Sequence, residues 1–94
     1  METKEILRQT KEIWGDEKLT LSQMIVVLGK VFGDICRWER NYAKDAKTHT
    51  DDDLKKELGS LIVCSIRFCE QLGYDPEDCI NLSMEAQRKI SKER

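Results

Sequence analysis

Two segments that are apolar around most of a helical circumference constrain this fold more than any other feature. Between residues 24 and 36 only four residues are not hydrophobic, namely Gly29, Lys30, Gly33 and Asp34. Residues 58–69 are almost as apolar. An ordinary surface helix has a broad polar face, whereas these two need cover on several sides. Because the rest of the chain has few apolar residues to provide it, we expect a helical bundle completed by self-association.

Residues that typically begin or end helices predict four helices and no strand. The predicted helices span residues 3–14, 20–46, 51–72 and 76–94, with Gly15 and Gly73 as C-terminal stops. Thr20 and Gln23 have the spacing of a capping box at the start of the second helix. Asp75 is the predicted N-cap of the fourth helix, and Pro76 suits its first position. The sequence therefore predicts an all-α protein with a single domain over residues 1–94.

Charge and cysteine content narrow the class of protein. The chain has 16 basic and 18 acidic residues, and this balance favours neither nucleic acid nor a membrane as a partner. No apolar run approaches the ~20 residues of a membrane span, and the charged N-terminus lacks a secretory segment, so we expect a cytoplasmic protein. Four cysteines without a C-x-x-C pair, with one histidine, favour buried free thiols over a zinc site. An intracellular disulfide is the alternative.

A family resemblance rests on the third predicted helix. Residues 51–69, D-D-D-L-K-K-E-L-G-S-L-I-V-C-S-I-R-F-C, resemble the second metal-binding helix of the MazG-type all-α nucleoside triphosphate pyrophosphohydrolases. Residues 72–78, L-G-Y-D-P-E-D, are similar to that family's turn into its last helix. The resemblance covers residues 20–94 and implies a four-helix MazG-like bundle. It also implies that an E-E-x-x-E helix and an E-x-x-D helix together hold Mg²⁺ for hydrolysis to a monophosphate and pyrophosphate.

The implied metal motif is degenerate in this chain. Glu57 matches the glutamate of E-x-x-D, but Ser60 occupies the aspartate position. On the second helix, residues 30–34 overlay E-E-x-x-E with Lys30 at its start and Asp34 as the surviving acid. A second register over residues 26–30 keeps no acid, and we prefer the first. The candidate metal ligands are then Asp34 and Glu57, and Lys30 and Ser60 are remnants of the site.

The lysine beside these two acids suggests what replaced the metal. Lys30 lies one turn before Asp34 on an apolar helix, and the resemblance places Glu57 opposite that turn. Two buried carboxylates repel each other without a cation. We therefore predict that Lys30 bridges Asp34 and Glu57 in a buried network, where relatives bind Mg²⁺. A solvated groove and a working Mg²⁺ site are the alternatives.

Three functions are consistent with these residues. The first is a MazG-like homologue that is catalytically impaired, or a non-catalytic nucleotide-binding or regulatory oligomer. The second is an active Mg²⁺-dependent pyrophosphohydrolase with a reduced set of acids. The third is a helical interaction protein unrelated to nucleotides. In each case we expect a homodimer or larger even-numbered homo-oligomer that shares the second and third helices.

Overall fold

The protein is all-helical, as the sequence predicts. A computed structural model describes residues 1–40 and 49–93, and within these ranges it contains four helices and no strand. The helices are α1 (Thr3–Trp14), α2 (Leu21–Arg40), α3 (Asp51–Gln71) and α4 (Pro76–Glu93). The predicted end of the second helix at residue 46 lies outside the described residues.

Local capping chemistry sets where three helices begin. The Thr20 amide donates to Gln23 Oε1 at 2.9 Å, and the Gln23 amide donates to Thr20 Oγ1 at 3.2 Å. This reciprocal pair is the predicted capping box, and it satisfies two backbone donors at the start of α2. Thr50 caps α3 by accepting the Asp53 amide at 3.2 Å. Asp75 caps α4 in the predicted way by accepting the Glu77 amide at 3.0 Å.

The corner between α3 and α4 is a tight turn centred on a glycine. Gly73 has φ of 86°, in the left-handed region that side chains with a Cβ rarely enter. Its amide donates to Glu70 O at 2.9 Å, and the next amide, from Tyr74, donates to Cys69 O at 2.9 Å. These two bonds make a Schellman motif, which satisfies carbonyls that α3 would otherwise leave free. The C-terminal stop predicted at Gly73 is therefore confirmed.

The chain divides into two compact units. The first, which we call the terminal unit, contains residues 1–17 and 66–93, and thus α1, the end of α3 and α4. Ile66 and Phe68 of α3 are buried in this unit. Thr3 Oγ1 of α1 donates to Glu77 Oε1 of α4 at 3.1 Å, and the Arg67 guanidinium lies 5.3 Å from the Trp14 ring centroid.

The second unit, which we call the central unit, contains residues 18–65, and thus α2 and most of α3. Trp38 Nε1 near the end of α2 donates to Thr50 O at the start of α3, at 3.0 Å. The Trp38 ring also stacks on His49, with centroids 3.6 Å apart. Because the end of one helix lies beside the start of the next, α2 and α3 run antiparallel as a helical hairpin. Met24 is its one described hydrophobic residue that is almost fully buried, at 1% exposure.

Few side chains are buried within the chain itself. Among the described residues, the buried hydrophobic side chains of the helices are those of Met24, Ile66 and Phe68. Many large apolar side chains of both units remain exposed. The cysteines follow the same trend: no disulfide joins them, and Cys36 is exposed while the other three are half-buried. The predicted burial of the cysteines is wrong for Cys36 and only partial for the other three, because the helices leave too little interior to enclose them.

Candidate functional site

The site predicted from the sequence lies in the central unit, which contains all four of its candidate residues. Asp34 of α2 is half-buried, with 25% of its side chain exposed, and it forms an ion pair with the Arg37 guanidinium one turn later. The aspartate and the arginine stand at i and i+3, a spacing that brings two side chains together on a helix surface. The cation that balances Asp34 is therefore Arg37, a residue that our sequence analysis did not include in the site.

The second candidate ligand has a cation of its own. Glu57 of α3 is half-buried, with 18% of its side chain exposed, and Glu57 Oε1 lies 3.5 Å from Lys56 Nζ. Ser60, one turn further along α3, is also half-buried. Its hydroxyl occupies the position where the motif requires an acid, so this turn of α3 contributes one carboxylate.

The predicted lysine bridge is wrong. Lys30 is exposed, and among the described residues it takes part in neither the ion pair of Asp34 nor that of Glu57. The physical reason is solvation, since an exposed ammonium keeps its water, whereas a buried bridge would desolvate three charges. The side chains of Arg37 and Lys56 are also largely exposed to solvent, and each contacts its half-buried carboxylate from the solvent side. The arrangement thus neutralises each acid separately.

This donor set fits Mg²⁺ poorly. Mg²⁺ prefers oxygen ligands in a near-octahedral shell and is usually held by one or two carboxylates together with substrate phosphates. Two carboxylates are present, but each already has a cationic side chain beside it. In the parts of the chain that the structure describes, no group of three or more histidine, cysteine or acidic side chains is placed to hold a metal ion. The residues at this position therefore do not fit the Mg²⁺ site that the resemblance implies.

The most extensive feature of the central unit is an exposed apolar surface on the α2–α3 hairpin. Leu21, Ile25 and Phe32 of α2 recur at helical spacing on one face, as do Leu58 and Ile62 of α3, and all five are exposed. On each helix, these exposed apolar residues are rotated around the helix axis by about a third of a turn from the half-buried face. Because the helices run antiparallel, the two stripes open on the same side of the hairpin. We call these five residues the α2–α3 apolar surface.

The size of this surface is large for so small a chain. Each of the five side chains is between 45% and 60% exposed, which corresponds to an apolar area on the order of 500 Å² in all. Two copies joined through it would bury about 1,000 Å² from these side chains alone, which reaches the lower bound for a specific interface. The largest apolar patch of an ordinary monomer measures about 300–600 Å² and is often functional, so this surface is a candidate interaction site.

Comparison with known proteins does not place the chain in a family. No family model, no curated protein and no solved structure matches it. The MazG-type resemblance consequently rests on the residues of α3 and the turn after it. None of the described helices has both the length and the apolar character needed to cross a membrane.

Proposed function

We propose that this chain is a non-catalytic, self-associating helical protein. In this proposal it is a MazG-like homologue that has lost the metal site and kept the ability to assemble. The observation that carries the proposal is the α2–α3 apolar surface, whose area is what one partner of a small dimer must supply. A second copy is the proposed occupant, because an isologous two-fold contact needs only one such surface per chain. The assembly is a homodimer or a larger even-numbered oligomer.

The charges of the former site support the loss of catalysis. Hydrolysis to a monophosphate and pyrophosphate needs metal ions that neutralise the triphosphate and activate water. Asp34 is already balanced by Arg37, and Glu57 by Lys56, while Ser60 brings no charge. To bind these two carboxylates, a Mg²⁺ ion would have to displace the cationic side chains of Arg37 and Lys56. An active enzyme with a reduced set of acids is therefore the weaker candidate.

Two measurements on the intact chain test the proposal. Sedimentation equilibrium at micromolar protein should give a mass of at least twice the 11.0 kDa of one chain, and a clean monomer would contradict it. Pyrophosphate release from a panel of nucleoside triphosphates with Mg²⁺ should stay at background. Robust turnover that disappears in Glu57→Gln would instead establish the active enzyme.

A calorimetric titration distinguishes between two proposals for this chain. One is a MazG-like protein that binds nucleotides, and the other is a helical interaction protein that does not. We propose that the central unit, which contains Asp34 and Glu57, retains affinity for nucleotides, as a nucleotide-binding or regulatory oligomer would require. Titration with nucleoside mono- and triphosphates, with and without Mg²⁺, should then give saturable heat. A flat titration in an assembled protein would support the interaction protein and end the nucleotide proposal without affecting the assembly.

A further inference from the structure

Most of α4 is uncovered within the terminal unit. Every residue from 80 to 93 is exposed, and the covered part of the helix is its first turn, where Pro76 is buried and Cys79 is half-buried. An isolated helix of about this length is only marginally stable in water, because most helical stability in proteins comes from the packing of an apolar face. A packing partner would therefore stabilise the exposed length of α4.

One face of this exposed length has the spacing of a helix that packs against another helix. Ile80, Ser83, Gln87 and Ile90 follow one another at intervals of three, four and three residues, which places them on one side of α4. Ile80 and Ile90 are 46% and 56% exposed, and Met84, at the edge of the same face, is 43% exposed. We call these five residues the α4 stripe.

The spacing of the α4 stripe is symmetric about its centre. Ile80 and Ile90 lie equally far from residue 85, and so do Ser83 and Gln87. If two such helices run antiparallel about a two-fold axis at residue 85, Ile80 of each copy lies opposite Ile90 of the other, and Ser83 lies opposite Gln87. A two-fold contact requires a surface that is complementary to itself in this way.

We propose that α4 pairs with α4 of a second copy as an antiparallel helix pair, through a surface separate from the α2–α3 apolar surface. Within one helix, Gln87 Nε2 donates to Ser83 Oγ at 3.1 Å. An amide group has two N–H donors, so Gln87 can keep this bond and donate its second hydrogen to Ser83 of the second copy. A polar pair at the centre of a helix contact fixes the register of the two helices.

The charges of α4 favour the antiparallel direction. Residues 76–85 contain three acids and no base, whereas residues 86–93 contain three bases and one acid. None of the ion pairs among the described residues involves α4, so its charges are available to a partner. Antiparallel pairing sets the acidic half of one helix beside the basic half of the other, whereas parallel pairing would set like charges side by side.

The small area of the α4 stripe makes this contact weak. The exposed apolar area of Ile80, Met84 and Ile90 is on the order of 300 Å² per chain, so two copies bury about 600 Å² from these side chains, less than a stable specific interface requires. The α4 pair should therefore form at higher protein concentration than the contact through the α2–α3 apolar surface. Together the two contacts would join four or more chains, a step that rests on the proposed function.

Sedimentation velocity of the full-length protein over a range of concentrations tests the pairing. The parent should pass from two chains to at least four times the 11.0 kDa of one chain. Ile90→Ala trims both of the isoleucine contacts in each helix pair, so the dissociation constant of this second step should rise by about 20-fold or more. Circular dichroism should show unchanged helix content, because Ile90 is exposed and alanine is the stronger helix former.

Leu82→Ala is the matched control for this variant. Leu82 lies on the opposite face of the same helix and is 68% exposed, more than any residue of the α4 stripe for which burial is at issue. Its substitution should leave the dissociation constant of the second step within about threefold of the parent value. If Ile90→Ala also matches the parent at every concentration, the α4 pairing is overturned and the first step of assembly is unaffected.

Phe32→Ala separates the α4 pairing from the proposed function. If the α2–α3 apolar surface is no interface, the parent stops at two chains, Phe32→Ala changes nothing and Ile90→Ala still dissociates the pair. The proposed function then fails while the α4 pairing stands. If Phe32→Ala and Ile90→Ala weaken one and the same step, α4 docks on the α2–α3 apolar surface of a second copy, and the α4 pairing is overturned.

A charge reversal tests the direction of the two helices. Arg88→Glu with Lys92→Glu makes both halves of α4 acidic and should weaken the second step, most clearly at low ionic strength. Lys4→Glu with Lys18→Glu changes the net charge equally at exposed positions outside α4, and should have the smaller effect. If the two double variants behave alike at low ionic strength, antiparallel pairing is overturned.

Discussion

Truncation of one exposed aromatic residue should separate assembly from folding. Phe32 lies in the α2–α3 apolar surface with 59% of its area exposed. Full burial of a phenylalanine side chain is worth about 1.5–3 kcal/mol, so burial of the exposed part in an interface is worth about 1–2 kcal/mol per copy. In a two-fold dimer Phe32→Ala removes two such contributions, about 2–3.5 kcal/mol. The dimer dissociation constant should therefore rise by about 30- to 300-fold.

The same substitution should have a smaller effect on the isolated chain. Part of Phe32 is already buried, but alanine has the higher helix propensity, so the net loss of folding free energy should be about 1 kcal/mol or less. Sedimentation velocity over a range of concentrations measures the dissociation constant. Leu82→Ala is the matched control, because Leu82 is 68% exposed on α4 and lies outside the surface. Equal dissociation constants for Phe32→Ala and the parent would refute the reasoning.

Three further predictions concern single side chains. Because Lys30 is exposed and bridges no acids, Lys30→Met should change the free energy of unfolding by no more than ~0.5 kcal/mol in urea titrations, and a larger loss would restore the buried network. Thr20→Ala removes half of the capping box and should lower that free energy by about 1 kcal/mol, whereas Ser22→Ala, at an exposed position in the first turn of α2, should not. The hydrogen bond from Arg8 lowers the pKa of Glu5 from 4.5 to about 2. The resulting stabilisation should be present above pH 4.5 and lost as the pH falls towards 2. An NMR titration of the Glu5 carboxyl measures the pKa, and the pH-dependent stabilisation should be absent in Glu5→Gln.

The helices could be predicted from the sequence because their limits depend on local chemistry. Thr20 with Gln23, and Asp75 before Pro76, satisfy backbone groups within one turn of the chain, so their spacing alone predicts the caps. The glycine at the end of α3 is equally local, because only a residue without a Cβ enters that backbone conformation easily.

The site could not be predicted in the same way. The spacing of Lys30 and Asp34 predicts an ion pair as readily as that of Asp34 and Arg37, and spacing does not show which cation keeps its water. The structure pairs Asp34 with Arg37 and leaves Lys30 exposed.

The two tryptophans give each compact unit its own optical probe. Trp14 lies beneath a guanidinium in the terminal unit, and Trp38 stacks on an imidazole ring in the central unit. Each indole should therefore have a distinct emission that changes when its own surroundings open. Trp14→Phe and Trp38→Phe variants then report the melting of one unit at a time. Coincident fluorescence transitions would mean that the units unfold as one cooperative system, and separated transitions would mean that each has its own stability.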